Sequence, residues 1–172
     1  AVVRGRCLPY GEGITYWPLA EILKGFAGVL DSDPPELTLE KIRKAGRELL
    51  TEEVTSDPGR ATAALAYTVN VADPEFDFSS MEPREVRQEV HAGWRSFFSA
   101  LAAETPLVVI VEDIHWADPA LLDLLDESSE RSPSRSRTRN FGTHIAHASL
   151  TRSPIVTTSS RASPARSCFN SA

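Results

Sequence analysis

The chain has 172 residues, with 18 Lys and Arg against 24 Asp and Glu, a formal net charge of −6 and 41% hydrophobic residues. That length supports one modest globular domain burying about 70% of the surface its unfolded chain exposes. The acidic balance argues against a whole-chain nucleic-acid or anionic-membrane binder. No uncharged apolar run approaches the roughly 18 residues of a membrane span, and Ala1 to Cys7 does not read as a signal peptide. The two cysteines, Cys7 and Cys168, lack the spacing of a disulfide framework or a zinc module. The expected compartment is the cytoplasm.

Charge is divided unevenly along the chain. Residues 1–130 carry all 24 acids and a net charge of −13, whereas 131–172 carry seven arginines and no acid. Ten Ser, five Thr and three Pro fill much of the second part, so it buries too little apolar surface to offset its ordering entropy. Disorder is expected there, with only Pro154 to Thr158 having the composition of a strand. In the first part, Ala1 to Cys7 is β-prone and leads into a turn-rich stretch, Pro9 to Gly13. From Leu19 the apolar positions Leu19, Ile22, Leu23, Phe26, Val29 and Leu30 follow helical spacing. A second helix is predicted from Leu39 through Leu50, and a third after the capping pair Asp57-Pro58. Past a loop from Ala72 to Met81, Glu82-Pro83 opens a helix with Val86, Val90, Trp94, Phe97, Phe98 and Leu101 as its apolar stripe and His91 on its surface. Thr105-Pro106 ends it, because proline disfavours helical geometry in the residue before it.

Leu107 to Val111 is an apolar run without polar alternation, which predicts a strand covered on both faces within a parallel sheet. It runs into Glu112-Asp113-Ile114-His115-Trp116-Ala117-Asp118, after which Asp118-Pro119 caps a helix carrying Leu121, Leu122, Leu124 and Leu125. Alternating strand and helix make the fold class α/β. Glu112 and Asp113 then lie at the carboxyl end of a strand, where open parallel sheets bind ligands. Two adjacent carboxylates resist burial unless a cation compensates them. Hydrated Mg²⁺ suits that position, since it takes oxygen ligands, keeps several waters and bridges to phosphates. Successive strand side chains point to opposite faces, so one acid is expected at the metal and the other beside a water near a terminal phosphate. That is the Walker B arrangement; a solvated strand end is the plainer alternative.

The segment Leu107 to Asp118, LVVIVEDIHWAD, resembles the Walker B segment of AAA+-related signalling NTPases of the STAND type. These include the origin-recognition-complex-like AAA ATPase domains of large bacterial transcription regulators and of adenylate and guanylate cyclase-associated ATPases. Gly5 to Leu19, GRCLPYGEGITYWPL, resembles the segment that follows the first helix of the cyclase-associated members. The two stand in family order and together span Val2 to Leu125. The resemblance implies a P-loop NTPase domain with a three-layer, helix-rich fold around a parallel sheet. It further implies ATP and Mg²⁺ as cofactors and an attached DNA-binding or cyclase effector, and leaves oligomerisation open. It puts Glu112 at the Mg²⁺-coordinating position, usually through water, and Asp113 where the attacking water is polarised. Many family members have Asp where this chain has Glu112. Asp118 is left to cap the next helix, Trp116 to pack beside the sheet and His115 to orient the acidic tip.

A P-loop requires G-x-x-x-x-G-K-[ST], whose backbone N–H groups and lysine cradle phosphates, and none of Lys24, Lys41 and Lys44 follows a glycine. The opening at Ala1 matches what the family places after the P-loop helix. The expected organisation is therefore a partial ATPase domain over 1–127 and an Arg/Ser-rich tail over 128–172, disordered or read out of frame. Alone, such a piece is expected to bind nucleotide weakly and to be inactive. The alternative function is a non-catalytic interaction or regulatory piece, with the helices from Leu19 to Leu101 as a docking surface and the basic tail as a flexible arm. A P-loop encoded roughly 30 residues upstream separates the two. Nucleic-acid binding through Arg131, Arg135, Arg137 and Arg139 is not expected, since no stacking aromatic occurs among them, and Gly11-x-Gly13 reads as a turn.

Overall fold

Each described helix has proline in its first or second position, where the missing N–H costs no hydrogen bond and the fixed φ suits the first turn. The helices are α1 (Trp17–Ala27), α2 (Pro35–Leu49), α3 (Pro58–Thr68), α4 (Pro83–Glu104) and α5 (Pro119–Glu130). With them stand the strands β1 (Val2–Arg6), β2 (Val108–Glu112) and β3 (His144–Ala148). The computed structural model describes residues 1–9, 15–130 and 144–148. The predicted turn at Gly11 to Gly13, the run Pro154 to Thr158 and the arginines Arg131 to Arg139 lie outside the described residues.

Acidic caps fix three of the helix starts. Asp57 Oδ1 accepts the Arg60 N–H at 2.9 Å and Asp118 Oδ1 accepts the Ala120 N–H at 2.8 Å. Glu82 and Glu85 form a reciprocal capping box, in which Glu85 Oε2 accepts the Glu82 N–H at 3.1 Å. At the other end of α1, Gly28 adopts φ 66° and ψ 33°, a left-handed geometry that glycine takes without steric cost. Val29 N–H then returns to Lys24 O at 2.9 Å. The stripe predicted from Leu19 is cut short there: Val29 turns into the core, but Leu30 is exposed. α2 begins at Pro35, ahead of the first apolar position that the spacing picks out.

The apolar stripes meet in one core. Leu19, Ile22 and Leu23 of α1 join Ile42 of α2, Leu65 of α3, Val90, Trp94 and Phe97 of α4, and Leu121, Leu124 and Leu125 of α5 against Val109 and Val111 of β2. Leu122, grouped with the α5 leucines by sequence, faces outward. His91 departs from expectation more sharply, being 5% exposed rather than a surface residue. Its neighbours come from elsewhere in the chain: Glu127 Oε2 of α5 lies 3.3 Å from His91 Nδ1 and also takes the Arg95 guanidinium, and the Tyr16 ring stands edge-on with its centroid 6.5 Å away.

The loop before α4 is fastened to α2 by an ion pair between the partly exposed Arg43 and the buried Asp73. Arg43 Nε and Nη2 donate to Asp73 Oδ2 and Oδ1 at 2.9 and 2.5 Å, and Asp73 Oδ1 also accepts the Glu75 N–H at 2.9 Å. The Arg43 guanidinium holds the Asp73 carboxyl below the usual carboxylate range, against the opposing effect of burial. A carboxyl depressed in the folded state contributes stability that is present above its unfolded value near pH 4 and lost as pH falls through the folded value. Arg43→Ala is therefore expected to cost about 2 kcal/mol at neutral pH. That cost should shrink below about pH 4, as read by denaturant titrations at neutral and acid pH.

The sheet is parallel throughout, in the order β1-β2-β3. Register runs from Val2 beside Val108 to Arg6 beside Glu112, and from Val108 beside His144 to Glu112 beside Ala148. The strand predicted after Thr105-Pro106 is thus parallel to its neighbours, within a helix-rich α/β fold. One expectation needs correction. Val109 and Val111 are buried while Val108 and Ile110 are only half-buried, so among the described residues the strand is fully covered on one face. The described part of the tail, His144–Ala148, is a strand. The second edge of β2 offers N–H and C=O groups in need of partners, and a segment free of Pro and Gly satisfies them. No described helix is long and apolar enough to cross a membrane.

Candidate functional site at the end of the central strand

β1 and β2 run in the same direction and end side by side, at Arg6 and Glu112. Cys7 N–H closes the pair by donating to Glu112 O at 2.9 Å. A period of two puts Arg4 and Arg6 on the same face of β1, and the register aims both at Glu112. Arg6 Nε and Nη2 donate to Glu112 Oε2 at 3.1 and 2.9 Å, and Arg4 Nη1 lies 3.4 Å from Oε1. Each carboxylate oxygen therefore faces a guanidinium. The backbone beneath is fixed from α1, where Glu21 Oε2 accepts the Arg6 N–H at 2.7 Å. Hydrogen bonding to Glu112, and then its charge, raise Arg6 further above its already high ordinary value.

Asp113 ends the strand by turning into the left-handed region, with φ 55° and ψ 37°. Aspartate visits that region more readily than bulkier residues do. Its carbonyl accepts the Trp116 N–H at 2.9 Å and so opens a 3₁₀ turn over Ile114–Trp116. The expected division of the two acids between opposite faces is corrected by this turn. Alternation holds within a regular strand, and Asp113 has already left it. Asp113 Oδ2 lies 3.8 Å from Arg6 Nε, so both acids converge on one guanidinium.

The remaining residues of the segment separate into two kinds. Asp118 caps α5, as expected. Trp116 does not pack beside the sheet: it sits on the turn beyond the strand end and is 49% exposed, with its ring centroid 5.0 Å from that of His115. Among the described residues, no hydrogen bond or ion pair ties His115 to Glu112 or Asp113, so its expected role in orienting them has no contact behind it. Cys7 is buried, and that burial, followed by the charges of Asp113 and Glu21, pushes its thiol up. A buried, protonated thiol is a packing residue rather than a nucleophile.

Glu112 and Asp113 present oxygen donors only, with side chains 26% and 32% exposed. A partly exposed pair of carboxylates fits Mg²⁺, which keeps several waters and needs only one or two protein carboxylates beside substrate phosphates. The described residues assemble no group of three or more His, Cys, Asp or Glu able to cage a metal by themselves. Sequence reasoning missed Arg4, Arg6 and Glu21. The spacing Arg4-Gly5-Arg6 on a strand was a usable sign that two cations share a face, but nothing local names the acid they meet.

Residues 1–139 match the family described as the AAA ATPase domain. An uncharacterized protein of Rhizobium meliloti is 37% identical over 128 residues, which make up 72% of this chain and 11% of that protein. The chain thus aligns with only about a tenth of that relative's length. No solved structure matches. With an α/β fold, a parallel sheet, an acidic strand end and a family match over most of its length, the chain belongs to the AAA ATPase domain family.

Proposed function

We propose that this chain is part of the ATP-binding and ATP-hydrolysing module of a signalling or transcription-regulating protein of the STAND type, with β2 and Asp113 as its Walker B element. The convergence of Glu112 and Asp113 at the carboxyl end of a parallel strand carries this reading, because that is where open α/β sheets hold their ligands. Glu112 would hold Mg²⁺ through water, and Asp113 would accept a hydrogen bond from the attacking water and orient it. Bound Mg²⁺ supplies the positive charge that polarises the phosphoryl oxygens. Positioning and charge stabilisation provide most of the catalysis of phosphoryl transfer, so the complete three-layer domain also needs a phosphate-binding loop. That loop is not among the three lysines here. The small share of the Rhizobium relative covered by the match supports a module within a much larger chain, where ATP would switch an attached DNA-binding or cyclase effector.

Mn²⁺, which replaces Mg²⁺ and is read directly by its paramagnetism, tests the acids. The full chain is expected to bind Mn²⁺ weakly, and Glu112→Gln to weaken that binding by about tenfold or more. Asp113→Asn should have the smaller effect. Equal affinity in the wild type and both variants removes Glu112 and Asp113 from the metal site.

A further inference from the structure

Glu112 is already engaged. Its Oε2 takes two hydrogen bonds from Arg6 and its Oε1 faces Arg4, while Asp113 Oδ2 lies 3.8 Å from the same Arg6 Nε. The bland account is a cross-strand ion pair that steadies the sheet. Exposure argues against that as its main role, since the Arg4 and Arg6 side chains are 65% and 59% exposed and such pairs add little to stability. The strand itself is held by other means: the ladder to β2, and Glu21 on the Arg6 N–H. Arg6 is thus free to leave Glu112 without loss of its backbone position.

We infer that Arg6, seconded by Arg4, is a resident counter-cation that holds Glu112 in the metal-free protein and must be displaced when a divalent ion binds, so that Arg6 sets the metal affinity of the site. This rests on the metal-binding reading of Glu112 given above. The physical argument has two parts. Guanidinium N–H groups occupy lone pairs that a metal or its water shell needs, because a carboxylate offers about four acceptor positions and Arg6 fills two of them on Oε2 while Arg4 faces Oε1 as an ion pair. A divalent ion beside Glu112 also meets the positive charge of Arg6 at short range, and that repulsion persists at any pH compatible with folding because arginine does not deprotonate. Arg6 is a positioning residue here: it holds the acid at the strand end and yields it on exchange.

The experiment measures Mn²⁺ binding to the full chain by paramagnetic relaxation, together with circular dichroism and melting of each variant. Arg6→Gln is expected to tighten Mn²⁺ binding by about tenfold, and Arg4→Gln by about threefold, with the gain shrinking as salt rises. Arg6→Lys, which keeps the charge but loses the fork, should fall between wild type and Arg6→Gln. The gain must vanish in the double variant Arg6→Gln/Glu112→Gln. If Arg6→Gln does not fold, Arg4→Gln alone decides, since Arg4 is the more exposed of the two. Unchanged or weaker binding in the arginine variants, with loss of binding in Glu112→Gln, overturns the counter-cation role and leaves the metal reading intact. Tightening that survives in the double variant puts the ion elsewhere and overturns it too. Absence of saturable binding in every variant overturns both.

Discussion

Gly5→Ala is expected to destabilise the chain by about 3 kcal/mol, the upper end of what overpacking usually costs. A Cβ on Gly5 would stand 2.1 Å from Pro18 O and 2.6 Å from the Pro18 carbonyl carbon. These are backbone atoms of the first turn of α1, so no side-chain rotation relieves the contact and either the strand or the helix has to move. Movement there reaches the acidic tip by two routes. α1 carries Glu21, which holds the Arg6 N–H, and Gly5 lies beside Val111, one residue before Glu112. Denaturant unfolding reads the loss of stability, and Mn²⁺ binding to the folded fraction reads the disturbance of the site. An unfolding midpoint equal to that of the wild type would show that α1 does not seat on β1 as closely as these distances require.

Gly5 also marks the boundary between what the sequence disclosed and what it concealed. Helix starts were legible because prolines and acidic caps act within one turn, as at Asp57-Pro58, Glu82-Pro83 and Asp118-Pro119. The α4 stripe was legible for the same reason, since helical period is a local property. The position of Glu112 at a strand end followed from an apolar run meeting two acids. The partners of Glu112 did not, because Arg6 lies 106 positions away and parallel register depends on how whole elements pack. The burial of His91 is hidden on the same account, since its neighbours Glu127 and Tyr16 lie outside its own helix. For Asp113 the failure was different: alternation was carried one residue past the point where the backbone turns left-handed. Trp116 likewise follows that turn and leaves the sheet.

The larger stability effect belongs to Trp94→Ala, expected to cost about 4 kcal/mol. Trp94 is fully buried, with its ring centroid 5.1 Å from Phe97 and 5.3 Å from Phe98, and Phe97 meets Phe26 of α1 edge-on at 5.2 Å. The same core includes Val109 and Val111, the buried face of the strand that presents Glu112. A domain of this kind has roughly 5–15 kcal/mol of total stability, so truncation at Trp94 removes a large share of what keeps β2 in place. Packing and hydrogen bonding can be told apart here, because the indole Nε1 is buried with no hydrogen-bond partner among the described residues. Trp94→Phe therefore breaks no such bond and is expected to cost only about 1 kcal/mol for the lost volume. Fluorescence supplies an independent readout. Trp17 and Trp116 are both partly exposed, so removing the buried indole should shift the emission maximum to longer wavelength in the folded Phe variant. Equal destabilisation by Phe and Ala would mean that the indole N–H, rather than the bulk of the ring, is what the core depends on.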